Sequence, residues 1–257
     1  MPIRKKSPEE IETIRAGGQL LSGILKELIR MVEPGRSFQE LDAYARQQLS
    51  KHGIPEFLGY GGFPASVCMS CNQEVVHGIP GDRVMEEGSV LGIDIGLRHK
   101  GLVTDMAVTV PVGKISHEDK KLLQVTRDSL KAALDVIRDG ARLGDIGAAV
   151  MRVVEPHGYG IVRDLVGHGV GFELHEDPSV PNVGRAGDGI RLEAGMVLAI
   201  EPMITAGGSH KVKTLEDGWT VVTKDGSNAA HFEHTIAVTK QGYELLTAFD
   251  TGFTHEG

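Results

Sequence analysis

We predict an α+β fold in one domain that consists of two related halves. The first observation is a long helix followed by a shorter helix, a pattern that occurs in residues 7–53 and again in residues 116–158. The second is the steady spacing of their turn signals, such as the 105 residues from Gly35 to Gly140, which is too long for a solenoid unit. The third is a pair of apolar strands in residues 88–110, joined by a short basic turn. Because no linker rich in Pro, Gly or Ser separates the halves, we expect one domain with pseudo-twofold symmetry.

The helices are predicted from their N-terminal caps and their apolar spacing. SPEE at residues 7–10 has the form of a capping box with proline at the first helical position, and apolar residues follow at helical spacing as far as Val32. A second helix is predicted from Ser37 to a stop at Gly53. In the second half, residues 117–158 predict another long helix, a glycine-containing break, and a shorter helix that ends at a His-Gly pair.

Two carboxylates interrupt the apolar hairpin. If its turn is centred between His99 and Lys100, residues whose numbers add to 199 face each other, so Asp94 is expected directly opposite Asp105. Repulsion between like charges and the cost of burying them would then be large. Either one aspartate is protonated, or a multivalent cation lies between them. A slip of one residue in the register would instead place the two side chains on opposite faces of the sheet.

Further carboxylates and a histidine occupy similar positions elsewhere. Glu201 interrupts the apolar segment MVLAIEPMI, which resembles the residues around Asp94, and Glu233 precedes another apolar strand. His168 lies between glycines that let the backbone approach closely. Each residue alone has an ordinary explanation, namely an edge or salt-bridged acid or a solvent-exposed histidine. Together, four carboxylates and one imidazole could hold two divalent ions through bridging carboxylates, and this oxygen-rich set favours Mn, Fe, Co or Zn.

Composition and charge argue against several other classes of protein. With 27 Lys and Arg against 35 Asp and Glu, the net charge is −8, which disfavours a dedicated surface for nucleic acid or anionic membrane. No apolar segment is long enough to cross a bilayer and the start lacks the apolar core of a signal peptide, so we expect a cytoplasmic protein. Cys68 and Cys71 could be redox-active or half of a zinc site, but without a second pair we expect two reduced thiols.

Five segments occur in an order and at spacings that resemble the type I methionine aminopeptidases. They are HGIPGD, GIDIGLRHKGLVTDMAVTV, GHGVGFELHEDP, AIEPMI and FEHTIAVT, and the similarity extends over residues 5–250. The resemblance implies the pita-bread metallopeptidase fold, in which two pseudo-symmetric helix–helix–strand halves surround a central antiparallel sheet. Here the halves would be residues 7–110 and 116–245 of a single catalytic domain, 1–257. The implied activity is hydrolysis that releases the N-terminal methionine of nascent proteins and peptides with a small second residue.

The resemblance also implies a metal centre of two divalent ions (Co, Mn, Fe or Zn) that activate a bridging water. Asp94 would chelate one ion, and Asp105 and Glu233 would bridge both. His168 and Glu201 would complete the shell of the other ion. Glu201 would in addition accept the proton of the water and deliver it to the leaving amine.

The substrate contacts are implied in the same way. His77 would lie near the residue that follows the scissile bond, and His175 would contact the scissile carbonyl oxygen and stabilise the oxyanion. The pocket for the methionine side chain would be apolar, because sulfur–aromatic contacts favour a thioether. The residues that match its lining positions are Tyr60, Phe63, Cys68 and Trp219.

Three residues depart from the pattern of that family. Phe57 and Leu174 stand where a smaller residue and an aromatic residue are expected, so we expect a pocket of different shape. His231 lies two residues before Glu233, on the same face of the predicted strand. It could perturb the metal shell, but we expect an outward-facing surface histidine.

Two other interpretations remain open on the sequence. Another pita-bread hydrolase, such as an Xaa-Pro aminopeptidase, usually carries a further N-terminal domain, for which 257 residues leave no room. A non-catalytic binding homologue should have lost metal ligands, whereas all five candidates are present. The expected partners are the N-terminal methionine of nascent chains and a transient ribosome contact, with no nucleic acid or membrane partner, and we expect a monomer.

Overall fold

The computed structural model describes residues 3–248, so both ends of the predicted domain 1–257 lie outside the described residues. Four α-helices occur as two pairs, and every strand pairing in the described residues is antiparallel. The helices are α1 (Pro8–Arg30), α2 (Phe38–Leu49), α3 (His117–Asp135) and α4 (Leu143–Val154), and single 3₁₀ turns lie at Tyr60–Gly62 and Glu155–His157. The strands are β1 (Ile54–Pro55), β2 (Val67–Cys71), β3 (Glu74–Val76), β4 (Val90–His99), β5 (Leu102–Pro111), β6 (Gly160–Ile161), β7 (Gly167–Gly169), β8 (Glu176–Val180), β9 (Val197–Ile200), β10 (Met203–Thr205), β11 (Val212–Thr214), β12 (Val221–Thr223), β13 (Ala229–His231), β14 (His234–Val238) and β15 (Tyr243–Leu245).

The predicted capping box at Ser7 is present, and the structure has a second one at Ser37, where only a helix start was predicted. Ser7 accepts a hydrogen bond from the backbone N–H of Glu10, whose carboxylate accepts one from Ser7 N, and Ser37 and Glu40 repeat this arrangement. The helix ends differ slightly from the prediction. Helix α1 ends before Val32, and α2 ends four residues before Gly53, because residues 50–53 close a hydrogen-bonded turn onto the last helical carbonyls.

The predicted hairpin is present as β4 and β5, but its register differs from the prediction. The turn is Lys100–Gly101, and both residues have positive φ, 49° and 87°, as a type I′ hairpin turn requires. Asp94 therefore pairs with Ala107, and Asp105 pairs with Gly96. The predicted direct opposition of the two aspartates is wrong. Because the pairing shifts by two residues, both side chains still lie on one face, as diagonal neighbours.

The sheets of the two halves meet along one seam. Strand β4 pairs with β1, β2 and β5, whereas the largest sheet has the order β15-β14-β9-β7-β8. Between them, Glu233 donates its backbone N–H to the carbonyl of Ala107 at 2.9 Å. The Thr235 hydroxyl donates to the carbonyl of Asp105 at 2.7 Å and accepts from its backbone N–H. These bonds fix the end of β13 and the start of β14 against β5.

Equivalent residues of the two halves have equivalent backbone contacts. Gly35 and Gly140 have φ values of 87° and 89°. Gly35 donates its N–H to Met85 O at 2.8 Å, and Gly140 donates its N–H to Leu192 O at 2.9 Å. These contacts support the proposal that the chain contains an internal structural repeat.

The apolar faces of the helices cover the sheets in one large core. Leu21, Leu25 and Leu28 of α1 are fully buried, as are Ile93 and Ile95 of β4 in the same cluster. Burial of each such side chain stabilises the fold by about 1.5–3 kcal/mol. In the described part of the chain, no helix has both the length and the apolar character that a membrane crossing needs.

Candidate metal centre and substrate pocket

The five predicted ligands converge on one pocket. Two lie in the β4–β5 hairpin, one lies in β7, and two lie in the breaks that follow β9 and β13. All five line the pocket although they are up to 139 residues apart in sequence, from 94 to 233. The exposed fractions of four of these residues are low: Asp105 4%, His168 7%, Glu201 9% and Glu233 2%.

Two flanking glycines and one hydrogen bond of the imidazole ring hold His168 in position. A Cβ atom at Gly167 would lie 2.4 Å from Ala199 O, and one at Gly169 would lie 2.4 Å from Asp177 O, so only glycine fits between the neighbouring strands. The Nδ1 atom of His168 donates to the carbonyl of Gly169 at 3.0 Å. In the neutral imidazole this bond leaves the lone pair on Nε2, the atom through which the ring would bind a metal.

The donor atoms form two overlapping groups. Oxygen and nitrogen atoms of Asp105, His168 and Glu233 lie within 4.8 Å of one another, and so do atoms of Glu201, His231 and Glu233. His168 Nε2 is 3.4 Å from Glu201 Oε1 and 4.0 Å from Asp105 Oδ2. Asp94 belongs to neither group, but its side chain lies on the same face of the hairpin as that of Asp105.

The electrostatics of the site fit a bound cation. Burial, followed by repulsion from Asp94 and Glu201, raises the pKa of Asp105 well above its usual range. Burial likewise raises the pKa of Glu233 well above its usual range and that of Asp94 to about 7. One oxygen each of Asp94, Asp105 and Glu233 is buried with no hydrogen-bond partner among the described residues. Buried oxygen atoms without partners are costly unless a cation satisfies them, so these residues fit divalent metal ions.

The pKa of Glu201 is shifted in the opposite direction, downwards. Its burial acts to raise the pKa, but the nearby His231, His168 and His175 side chains outweigh burial and lower it. Glu201 is therefore a carboxylate at neutral pH and can accept a proton. Asn182, which sequence reasoning did not identify, donates its side-chain amide to the carbonyl of Glu201 at 3.0 Å and fixes the backbone there.

His231 does not lie where the sequence suggested. It is only 4% exposed, so the expectation of an outward-facing surface histidine is wrong. Its Nε2 atom is 3.2 Å from Glu201 Oε2 and 4.0 Å from Glu233 Oε2. His231 is the last residue of β13, and its side chain points to the same side as that of Glu233, which lies in the break that follows.

Aromatic residues and a thiol form the apolar wall of the pocket. The Phe63 and Trp219 rings meet edge to face at 5.2 Å between centroids. Cys68 pairs with Asp94 across β2 and β4, so the two side chains lie on the same face of the sheet. Burial raises the pKa of the Cys68 thiol, which keeps it protonated. Trp219 precedes β12 by two residues.

The two predicted substrate histidines both line the pocket. Burial lowers the pKa of His77 and of His175 to about 4, so both are neutral at pH 7. His175 Nδ1 lies 2.6 Å from the Tyr60 hydroxyl, and its ring centroid is 4.4 Å from that of His168. His77 has a positive φ of 58°, which is uncommon for a residue other than glycine and occurs at functional sites.

The remaining wall contains the two residues that depart from the family pattern and several that the sequence did not indicate. Phe57 and Leu174 are 7% and 2% exposed and both line the pocket. The volume of about 280 Å³ is near the lower end of the roughly 300–1,000 Å³ common for ligand pockets and suits a single residue. The lining residues that were not predicted are Val76, Asp164, Leu165, Val166 and Met203.

Comparisons with known proteins establish the family. The model of metallopeptidase family M24 matches residues 12–240. The chain is 50% identical over 243 residues to methionine aminopeptidase 1 of Bacillus subtilis (strain 168), covering 94% of this chain and 98% of that protein. The crystal structure of methionine aminopeptidase from Rickettsia prowazekii has a TM-score of 0.94 and 39% identity, covering 96% of this chain and 100% of that one.

The similarity to a solved prolidase is a similarity of fold alone. The prolidase from Pyrococcus horikoshii OT3 is 21% identical with a TM-score of 0.77, and the match covers 97% of this chain but 65% of the prolidase. The predicted α+β pita-bread fold is thus confirmed, and so is the predicted family. The chain belongs to metallopeptidase family M24 and, within it, to the methionine aminopeptidases.

Proposed function

We propose that this protein hydrolyses the peptide bond after an N-terminal methionine and prefers substrates with a small second residue. The observation that supports this most directly is that the four acidic candidate ligands and the apolar side chains line the same pocket, whose size suits a single residue. The pocket wall contains Phe63, Trp219 and Cys68, whose aromatic edges and sulfur favour a thioether side chain.

Asp94, Asp105, His168, Glu201 and Glu233 would hold two divalent ions. Bound there, such ions lower the pKa of a water molecule and polarise the scissile carbonyl. The three carboxyl groups with raised pKa values must lose their protons when cations bind, so binding is favoured at higher pH. The donor set of carboxylates and imidazole suits Mn, Fe, Co or Zn, and geometry alone does not select among them.

Glu201 accepts the proton of the attacking water and delivers it to the leaving amine. Its lowered pKa keeps it ionised before the reaction. Asn182 restrains its backbone, so the carboxylate remains aimed into the pocket. This role requires that one residue act both as a ligand and as a general base.

His175 donates a hydrogen bond to the scissile carbonyl oxygen as negative charge develops there. Burial raises the pKa of the Tyr60 hydroxyl, so Tyr60 stays protonated and donates to His175 Nδ1. The remaining proton of the neutral imidazole is then on Nε2 and is available to the substrate. His77 restricts the space for the second residue of the substrate.

The natural substrates would be nascent polypeptides, met by a monomer in the cytoplasm near the ribosome. An N-terminal methionine is the substrate feature that this pocket recognises, and newly made chains are its main source. Two free cysteines are compatible with a reducing compartment.

The test is a comparison of peptide substrates on metal-free protein to which Mn, Fe, Co or Zn is added back. We expect methionine release from Met-Gly and Met-Ala peptides, much slower release from Met-Leu peptides, and no cleavage of Xaa-Pro peptides. Cleavage of Xaa-Pro alone would instead assign the chain to the prolidase-like activity. No cleavage of either type with any of the four ions would contradict a catalytic role.

A further inference from the structure

We propose that His231 is a sixth protein ligand of the metal centre, binding through Nε2 the ion that Glu201 and Glu233 also contact. The inference rests on the proposed function for the existence of the ions. It goes beyond the ligand set that the family resemblance implies, which contains only one histidine.

Distances support coordination. The Nε2 atom of His231 lies 3.2 Å from Glu201 Oε2 and 4.0 Å from Glu233 Oε2. Two atoms that bind one ion at about 2.1 Å lie roughly 3.0–3.4 Å apart when adjacent and about 4.2 Å apart when opposite. The spacing of His168 Nε2 and Glu201 Oε1, 3.4 Å, falls in the same range. The two imidazoles thus approach the two oxygens of one carboxylate at ligand–ligand distances.

The orientation of the imidazole argues against a well-aligned hydrogen bond between His231 and Glu201. His231 Nε2 is buried and has no hydrogen-bond partner among the described residues, although Glu201 Oε2 is within hydrogen-bond distance. The two atoms are close without being aligned as donor and acceptor. This arrangement is expected when both are directed at a third atom between them. An unsatisfied buried imidazole nitrogen would otherwise cost about 1–3 kcal/mol.

The backbone of His231 is fixed, so the ring does not reach the site by chance. His231 lies in β13 and pairs with Met203 of β10. Its N–H donates to the Thr109 hydroxyl at 2.9 Å, and that hydroxyl donates to its carbonyl at 2.8 Å. These two bonds attach the residue to β5, the strand that carries Asp105.

His231 approaches the carboxylates from the protein side. Glu201 and Glu233 line the substrate pocket, whereas His231 does not. An imidazole bound from this side leaves the pocket side of the ion open to water and substrate. A second nitrogen donor also shifts the preference of the site from Mn towards Fe, Co and Zn, because imidazole suits those ions better.

The test counts coordinated imidazoles in the full-length protein, independently of turnover. Metal-free protein labelled with ¹⁵N-histidine receives Zn, and long-range ¹H–¹⁵N NMR correlations identify each Nε2 whose shift changes on coordination. We expect two such histidines in the wild type and one in each of the single variants His168→Gln and His231→Gln. His234→Gln is the matched control, because His234 follows Glu233 but bonds Thr247 on the other side of the strand. It should leave the count at two.

Calorimetric titration provides the second measurement. Loss of an imidazole ligand in His231→Gln should weaken Zn and Co binding by about tenfold or more, with a smaller change for Mn. One coordinated histidine in the wild type, or the same Zn affinity in His231→Gln as in the wild type, would overturn the proposal. If His231→Gln does not fold, the wild-type count alone decides.

The count of coordinated histidines tests the proposed ligand independently of the proposed function. Two coordinated histidines in a protein that never releases methionine would support the ligand and reject the activity. One coordinated histidine in a protein that does release methionine would reject the ligand and leave the activity intact.

Discussion

Individual residues of this site were predicted with unequal success, and the reason is chemical. An acid within an apolar strand is conspicuous, so Asp94, Asp105, Glu201 and Glu233 were identified from sequence and are found together. Asn182 was not identified, because it acts on a backbone carbonyl and a buried amide carries no charge signal. The orientation of His231 was mistaken because histidine is common on surfaces, although its strand position favoured the site.

Replacing Asp94 with Asn should abolish methionine release while the protein remains folded. The change removes a ligand charge but keeps the shape, so we expect kcat/KM to fall by about three orders of magnitude or more. Stability of the metal-free protein should be equal or higher, because one of several repelling buried carboxyl groups is gone. Peptide hydrolysis and thermal unfolding measure the two effects. Near-wild-type activity would argue against Asp94 as a ligand.

His175→Ala and Tyr60→Phe should separate catalysis from orientation. Removal of one oxyanion donor in His175→Ala should lower kcat by about 10²–10³. Tyr60→Phe retains the imidazole but loses the 2.6 Å contact that selects its tautomer, so we expect a smaller fall in kcat, about tenfold. Steady-state kinetics give both values. A change confined to KM in His175→Ala would contradict its role at the transition state.

At the scale of elements, helices were predicted more accurately than strand pairing. A capping box is a local signal, and the one predicted at Ser7 is present, as is the helix start predicted at Ser37. The hairpin register depended on which residues adopt positive φ, and Lys100 is an unusual residue in that conformation. The joining of β13 and β14 to β5 depends on side-chain hydroxyls of Thr109 and Thr235, and no short-range pattern encodes it.

The segment before α1 is tied to the loop that carries His175. Lys6 forms an ion pair with Glu176 at 2.7 Å, and both side chains are nearly inaccessible, at 2% and 9%. Burial lowers the pKa of Lys6, although Glu176 acts in the opposite direction. Glu176 also accepts hydrogen bonds from the backbone N–H groups of Phe172 and Glu173. The ion pair therefore holds the loop in its observed shape.

Lys6→Met should loosen that loop without contacting the proposed metal ligands. Leaving a buried carboxylate unpaired costs about 3–5 kcal/mol of unfolding free energy. We expect that loss of stability, together with a lower kcat, because His175 is less well placed. Denaturant unfolding and kinetics measure these, and Zn affinity should stay within about twofold. The double variant Lys6→Met/Glu176→Gln removes both charges and should recover part of the stability; no recovery would mean that the ion pair is not the cause.

At the scale of the molecule, the cluster of buried acids links stability to pH. Asp94 has a pKa of about 7 in the fold against about 3.9 for a free aspartate, so the folded state binds more protons between these values. Stability of the metal-free protein must therefore fall as pH rises through this window. Asp105 and Glu233, whose pKa values are also raised, add to the same trend. Glu201 has a lowered pKa and the opposite slope, but only below the usual value of about 4.3.

Chelated protein should accordingly have a lower melting temperature at pH 8 than at pH 5.5. Metal-loaded protein should show the reverse trend, because cations bind the deprotonated ligands. The difference in Tm between the two forms should widen with pH, and scanning calorimetry measures it. A metal-free Tm that is flat or rises over this range would contradict the assigned protonation of the cluster.

The fold class and family followed from sequence because they depend on patterns that repeat along the chain. The packing of the two halves against each other did not follow from sequence. It is set by hydrogen bonds between residues more than a hundred positions apart, such as Glu233 to Ala107. The internal repeat itself remains a proposal supported by matched turns at Gly35 and Gly140.

The hydrogen bonds at the seam between the halves have a consequence for biosynthesis. Asp94 and Asp105 come from the first half, whereas the other three predicted ligands come from the second. Until Glu233, which directly precedes β14, has left the ribosome, the chain has an incomplete set of donor side chains. The centre cannot form at that stage even if divalent ions are available. A chain truncated before Glu233 therefore retains Asp94 and Asp105 but lacks at least one of the five predicted donors, and we expect it to release no methionine.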